Sequence, residues 1–341
     1  MMDFKKYSVE SNSRTKKSGA GVTIALFLIV FIVSVGGIIA LKSSSKSNAQ
    51  TEPTLVGLAK QNDLYKTTLL TSFDTDKDFK FVTNHDLSDM PAIVAKSAFL
   101  VNINTGDILY ANNEKEVLPI ASLAKIMTAI IAVEHRNISD TTIVSKKAAS
   151  VGENTMNISA GERYSLEELL YGLFLHSGND AAYAIAEGVA VDKETFVLWM
   201  NIKAKELGLE NTLFTDPSGL DDKAHSSAYD LARLTSYALK HKELRKIAGT
   251  VEYEIIGNND HKYIPLYNQT NLLTTYPGVK GFKTGYTEEA GLCLVTYAQN
   301  DNVELVGVVL NSIDRKGDMV NMLDYGFAKY NIFLDHPYKT H

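Results

Sequence analysis

Between Gly21 and Leu41 the chain runs GVTIALFLIVFIVSVGGIIAL, without a single charge. As a helix this stretch spans ~31 Å, about the hydrocarbon thickness of a bilayer. Residues 42–90 lose any period. They begin as the Ser/Lys-rich KSSSKSNAQTEPT and predict a linker or stalk. From about Pro91 the periods of a folded domain set in. SAFLVNINTGDILYANN alternates apolar and polar on either side of Asn104-Thr105-Gly106, which predicts a hairpin.

Helical periods follow. VLPIASLAKIMTAIIA, residues 117–132, is an apolar run with Pro119 placed for a helix start. In SLEELLYGLFLHSG, Ser165 and Glu168 have capping-box spacing, and Leu166, Leu169, Leu170 and Leu173 share one face. A helix is predicted from Asp192 to a glycine stop at Gly208, and another from Ser227, with Asp230 again at capping-box spacing. Strand patterns then return in VEYEIIG, GLCLVTYAQ and VELVGVVLN, the last two flanking the turn Asn300-Asp301-Asn302. A last helix is expected near Arg315–Lys329. Strands at both ends with helices between predict an α+β architecture. One antiparallel sheet is assembled from distant segments, a mostly helical lobe is inserted, and a cleft lies between the two.

Charge and composition narrow this picture. The formal net charge is −6, and no basic stripe with interleaved aromatics is present, so nucleic acid is not an expected partner. The single cysteine, Cys293, excludes an internal disulfide and reads as a small buried hydrophobe in its strand. The histidines have no metal-ligand spacing, so no metal is expected. Five basic residues precede Gly21 (Lys5, Lys6, Arg14, Lys16, Lys17), which orients the span with its N-terminus in the cytoplasm. Ser47-Asn48-Ala49 leaves cleavage of a signal open as the alternative. The expected organisation is a cytoplasmic tail (1–20), a membrane anchor (21–41), a linker (42–90), a catalytic domain (91–335) and a tail (336–341), with everything after the anchor exported.

Three short motifs remain. Ser122 and Lys125 stand three positions apart in the apolar run, close enough on a helix for the ammonium to meet the hydroxyl. Alone this is weak, because Ser13–Lys16 and Ser43–Lys46 have the same spacing in polar tails. Burying such a lysine is costly unless something pairs with it. Ser177-Gly178-Asn179 lies between two predicted helices, where a plain connector would look the same. Lys283-Thr284-Gly285 stands just ahead of a predicted strand, where a hairpin turn with a solvated lysine would also suit.

In this order the three are far more specific. The chain resembles the serine penicilloyl-enzymes, the penicillin-binding proteins and serine β-lactamases with SxxK, SxN and KTG motifs. PIASLAKIMTAIIAVE, HSGNDAA, DPSGLDD with HSSAYDLA, and GFKTGYTEEAGLCLVTYA look like the low-molecular-mass D-alanyl-D-alanine carboxypeptidases, over about Ser97–Tyr330. The resemblance implies a DD-peptidase fold, no cofactor, and a substrate that is a peptidoglycan stem peptide ending in D-Ala-D-Ala. It implies Ser122 as the acylated nucleophile and a deprotonated Lys125 as its base, with burial and the second ammonium of Lys283 lowering the Lys125 pKa. Ser177 would relay a proton, and Asn179 would bond Lys125 and the substrate amide. Lys283 and Thr284 would bind the terminal carboxylate, and Gly285 would let the substrate approach as an added strand. The oxyanion would meet the N–H groups of Ser122 and Tyr286. β-Lactams would be covalent inhibitors.

A β-lactamase is the alternative with the same motifs. The middle motif reads SGN rather than SDN, and no ExxLN-type element follows it; Glu206 and Glu210, in ELGLEN, do not match. A non-catalytic β-lactam sensor or scaffold would not need Lys125 and Asn179, whereas a transpeptidase would carry identical motifs. Many members of the family end in a further sheet domain and an amphipathic helix. Here FAKYNIFLDHPYKTH runs to His341, so the N-terminal span is expected to supply the anchor.

Overall fold

A computed structural model describes Tyr65, Thr75 and residues 79–338 apart from 191 and 271. The expected cytoplasmic tail and membrane span lie outside the described residues. Among the described residues, no helix is long and apolar enough to cross a membrane.

Five apolar runs pair as one antiparallel sheet. They are β1 (Ser97–Asn102), β2 (Ile108–Asn112), β3 (Val279–Thr287), β4 (Gly291–Asn300) and β5 (Val303–Ser312), in the spatial order β2-β1-β5-β4-β3. Chain ends far apart in sequence thus share a sheet, with Phe99 opposite Val308 and Val308 opposite Val295. Gly106 (φ 78) turns the expected first hairpin, and Asp301 (φ 49) turns the one between β4 and β5. β1 is buried at all six positions. Its alternate side chains feed two cores: Phe99 and Val101 face the helical lobe, while Ala98 and Leu100 pack with Met319, Leu323 and Phe327. A sheet covered on both faces needs no polar side, which is why its central strands read as nearly unbroken apolar runs.

The longer helices are α1 (Lys125–His135), α2 (Leu166–Leu175), α3 (Asn179–Val189), α4 (Lys193–Glu206), α5 (Ala228–Ala238), α6 (Lys242–Ala248) and α7 (Arg315–Ala328), with single turns at Lys146–Ala149 and Leu272–Thr275. α7 covers one face of the sheet, and α5 joins the other face to the helical lobe. The Ser165–Glu168 capping box forms in full. Asp192 caps α4, and Gly208 (φ 62) follows its end. Ser227 caps α5, but the reciprocal half of the expected box does not form. The Asp230 carboxylate instead accepts from Asn211 N (2.7 Å) and Thr212 Oγ1 (2.9 Å), tying the preceding loop down.

Several expectations need correction. Pro119 does not start a helix; Leu118–Pro119 is a short strand paired with His225–Ser226. The VEYEIIG strand, Glu252–Ile255, pairs only with Ile264–Tyr267 in a separate hairpin. Lys283-Thr284-Gly285 lies inside an edge strand rather than in a turn before one. Chain outside 91–335 also packs on the domain. Phe79 is buried, Val82 bridges to Asp107, and the His336 imidazole bonds the Asp324 carboxylate at 2.9 Å.

Candidate active site

The apolar run places its serine through a turn rather than a regular helix. Ala121–Ala124 is a 3-10 turn leading into α1, and in such a turn side chains three apart eclipse. Ala121 holds a left-handed backbone (φ 47), unusual for an alanine and a mark of local strain. What holds it is close packing: Gly219 (φ 75) lies so near that a Cβ there would overlap the Ala121 carbonyl oxygen.

Lys125 is completely buried, and its Nζ lies 2.8 Å from Ser122 Oγ, 2.7 Å from Asn179 Oδ1 and 2.7 Å from the Ser218 carbonyl oxygen. Burial pulls its pKa from 10.5 to about 7, against the opposing fields of Asp216, Asp180 and Glu153. A neutral amine has two N–H donors and one lone pair. The oxygens of Asn179 and Ser218 can only accept, so they take both donors and leave the lone pair facing the Ser122 hydroxyl. This arrangement can remove a proton from Ser122.

Each partner is held from behind. Asn179 opens α3, and its Nδ2 donates to the Gly152 carbonyl at 3.0 Å. The next residue, Asp180, accepts from the N–H groups of Met156 (3.0 Å) and Ile158 (3.1 Å), which clasps the adjacent loop. The Ser218 carbonyl is aimed by Asp216, whose carboxylate accepts from the backbone N–H of Ser218 (2.6 Å), Gly219 (2.8 Å) and Asp221 (2.8 Å). Neither Asp216 nor Ser218 was among the expected site residues. The turn-forming string Asp-Pro-Ser-Gly was the available signal, but a carbonyl that accepts from a distant lysine leaves none in sequence.

A second cluster adjoins the first. Ser177 (φ 56) sits just ahead of α3, and its Oγ accepts from Lys283 Nζ at 2.9 Å. Lys283 is buried and also donates to the Thr284 carbonyl at 2.9 Å. Its pKa is pushed well below 10.5, first by burial and then by Lys125 and Arg315. The two ammonium groups repel one another, as expected. Lys125, unlike Lys283, also has carboxylates near it to support a charge.

The edge strand β3 brings the two clusters together. A Cβ at Gly285 would lie 3.0 Å from the Ile120 carbonyl oxygen and 3.2 Å from Ser122 N, so this strand presses on the serine turn more closely than a side chain allows. Thr284 is buried beside Lys283, while the Tyr286 side chain is exposed. All eight expected residues thus fall in these two hydrogen-bonded clusters or on the stretch of β3 that packs against the serine turn. The structure adds Arg315, at the start of α7, which donates to the Gly285 carbonyl at 2.8 Å. It lines a small cavity of about 40 Å³ with Thr284, Lys316, Gln269 and Thr270, a basic recess beside β3. Cys293 is buried opposite Gly285, and burial pushes its thiol up to about 11, which keeps it inert. Among the described residues, no group of His, Cys, Asp or Glu could hold a metal.

Residues 84–314 match the family model of the S11 peptidases, D-alanyl-D-alanine carboxypeptidase. D-alanyl-D-alanine carboxypeptidase DacF of Bacillus subtilis strain 168 is 41% identical over 245 residues, an alignment that covers 69% of this chain and 63% of the relative. The D-alanyl-D-alanine carboxypeptidase of Streptomyces sp. strain K15 is 32% identical over 258 residues, covering 70% of this chain and 89% of that one. Among solved structures, the Streptomyces K15 DD-transpeptidase superposes with a TM-score of 0.67 at 30% identity, covering 70% of this chain and 99% of that one. The D-alanyl-D-alanine carboxypeptidase of Mycobacterium tuberculosis H37Rv gives 0.67 at 29% identity, covering 72% and 96%. Fold, motif geometry and relatives agree: the chain belongs to the D-alanyl-D-alanine carboxypeptidase family, peptidase S11.

Proposed function

We propose that this chain is a serine-type D-alanyl-D-alanine carboxypeptidase working through an acyl-enzyme on Ser122. The observation that carries the proposal is the buried Lys125, whose lone pair is directed at the Ser122 hydroxyl by two fixed carbonyl acceptors. Ser122 Oγ attacks the carbonyl between the two terminal D-alanines as its proton passes to Lys125 Nζ. The oxyanion is met by the N–H groups of Ser122 and Tyr286, which the close approach at Gly285 brings near one another. Ser177, bonded to Lys283, passes a proton to the departing amine, D-alanine leaves, and water hydrolyses the ester. Thr284, Lys283 and the recess at Arg315 offer positive charge and donors to a terminal carboxylate, which selects a free C-terminus.

A β-lactam presents a similar carboxylate and amide, and would acylate Ser122. The Streptomyces K15 relative is described both as a carboxypeptidase and as a DD-transpeptidase, which supports a second reading in which an amine sometimes replaces water as acceptor. The apolar span at 21–41 and the basic residues before it support an anchored protein with its N-terminus in the cytoplasm and the domain from about residue 91 facing the cell wall.

The test uses Ser122→Ala. The variant is expected to lose both D-alanine release from a pentapeptide ending in D-Ala-D-Ala and covalent labelling by fluorescent penicillin. Labelling that persists in the folded variant refutes the assignment.

A further inference from the structure

The stretch that reads in sequence as a linker, residues 42–90, holds aromatic side chains that pack on both lobes of the domain. Tyr65 sits on the helical lobe. Its ring lies 5.4 Å from that of His135, at the end of α1, and 6.0 Å from that of Trp199 on α4. Its hydroxyl donates to Glu206 Oε2 at 2.9 Å. That carboxylate belongs to a buried ion cluster in which Lys203 Nζ lies 3.3 Å from Glu206 and 2.7 Å from Glu134. Lys203 and the Glu134 side chain are almost wholly removed from solvent. Buried ions repay their desolvation only when their remaining lone pairs find donors, and Tyr65 supplies one from 141 residues away.

Residues 79–89 continue onto the sheet. Phe79 is buried, with the Arg233 guanidinium of α5 4.4 Å from its ring centre. Phe81 meets Tyr229 of α5 edge-on at 5.6 Å and Phe99 of β1 at 5.8 Å, so one side chain touches both a helix and the sheet. Val82 donates its N–H to the Gly106 carbonyl and accepts from Ile108 N, both at 2.8 Å. These bonds cover part of the open edge of β2, the outermost strand. Asp89 ends the run on α7, accepting from the Tyr325 hydroxyl at 2.6 Å and from Lys329 Nζ at 3.0 Å. A free linker would leave its aromatics in water and its backbone solvated. We propose that Tyr65 and residues 79–89 form a strap that clamps the helical lobe to the sheet. It is latched at one end by Tyr65 on the Glu134–Lys203–Glu206 cluster and at the other by Val82 on β2. The strap goes beyond the carboxypeptidase reading and does not depend on it. With the chain anchored at 21–41, as proposed above, the strap shortens the tether from residues 42–90 to 42–64. The longest reach of that tether falls from about 170 Å to about 80 Å.

The test cuts the chain behind the strap without removing the strap. A specific protease site is inserted after Ser88, an exposed position, in the full-length protein carrying an affinity tag at its N-terminus. After cleavage in mild detergent, the C-terminal fragment, followed by its size on a gel, is expected to stay on the tagged one. With Tyr65→Ala and Phe79→Ala together, it should dissociate about 10–100-fold faster, the scale of losing a buried aromatic side chain. Immediate release from the cut parent protein overturns the strap. A second measurement needs no cleavage. Trp199 is the chain's single tryptophan, so quenching of its fluorescence by acrylamide reads the cover that Tyr65 gives it. Quenching should rise in Tyr65→Ala and stay at the parent level in Tyr65→Phe, which keeps the ring. Equal quenching in all three proteins overturns the latch at the helical end, and the clamp with it. Neither readout involves Ser122, so a failure of the strap and a failure of the carboxypeptidase reading are told apart.

Discussion

The most exposed consequence of the geometry is the pH dependence of acylation. Lys125 is completely buried, and burial brings its pKa to about 7, so the free amine that can take the Ser122 proton is the minor form in acid. With one titrating base, the neutral fraction is about one half at pH 7, about 9% at pH 6 and about 1% at pH 5. The second-order rate of acylation by a chromogenic cephalosporin, followed by stopped flow, should therefore fall about 90-fold from pH 8 to pH 5, approaching a slope of one log unit per pH unit. Stability is linked with the same sign. The unfolded chain holds the Lys125 proton up to about pH 10.5 and the folded chain only up to about 7, so this group's contribution to stability rises with pH across that window. Below pH 7 the fold bears the full cost of a buried ammonium, about 5 kcal/mol. The Lys125→Ala variant should acylate about 10²–10⁴-fold more slowly and lose the inflection near pH 7. An acylation rate that is flat from pH 5 to 8, or that rises only near pH 10, would refute the argument, because the lysine would then be either uninvolved or solvated.

Two further substitutions probe what holds that base. Gly285→Ala puts a Cβ 3.2 Å from Ser122 N, so β3 must shift off the serine turn by a few tenths of an ångström. Acylation by penicillin should drop about 10–100-fold with little change in melting temperature, and an undiminished rate would mean the close approach has no role. Asp216→Asn removes a carboxylate that orients Ser218 and raises the proton affinity of Lys125. The inflection in the acylation profile should move to lower pH, with about 1–3 kcal/mol of lost stability in chemical denaturation. A profile that keeps its midpoint would confine Asp216 to a purely structural part.

Local signals carried far in this chain. The strand runs at 97–112 and 291–312, the caps at Ser165, Asp192 and Ser227, and the final helix all lie where their periods and end residues place them, because burial and capping act over a few residues. The motif serines, lysines and Asn179 were legible too, once read as a set. The rest depends on contacts distant in sequence. Nothing near Pro119 announces its pairing with His225, and nothing near Ser218 announces that its carbonyl accepts from Lys125. Arg315 joins the site only because α7 starts beside β4, whose Cys293 carbonyl it also contacts at 3.3 Å. Lys283-Thr284-Gly285 resembles a turn from its composition alone. It lies in a strand because Val295 and Leu294 on β4 pair with it and the Ser122 turn packs against its other side.

The two lysines of the cleft show why one desolvated environment can serve two purposes. Both are buried, and both have depressed proton affinities, but their partners differ in kind. Lys125 is surrounded by acceptors already in place, Asn179 Oδ1 and the Ser218 carbonyl, with Asp216, Asp180 and Glu153 near enough to moderate the effect of burial. Its affinity is thereby set near neutrality, where a base can both take a proton and return it. Among the described residues, Lys283 bonds the Ser177 hydroxyl and the Thr284 carbonyl, and the charges acting on it, Lys125 and Arg315, are cations. It lacks an anion, and in the proposed reaction the substrate's terminal carboxylate supplies one. A ligand with a free C-terminus relieves the electrostatic penalty on Lys283, whereas an internal peptide bond does not. In the proposed reaction, specificity for chain ends would then follow from this buried lysine, on the same strand whose Gly285 presses against the serine turn.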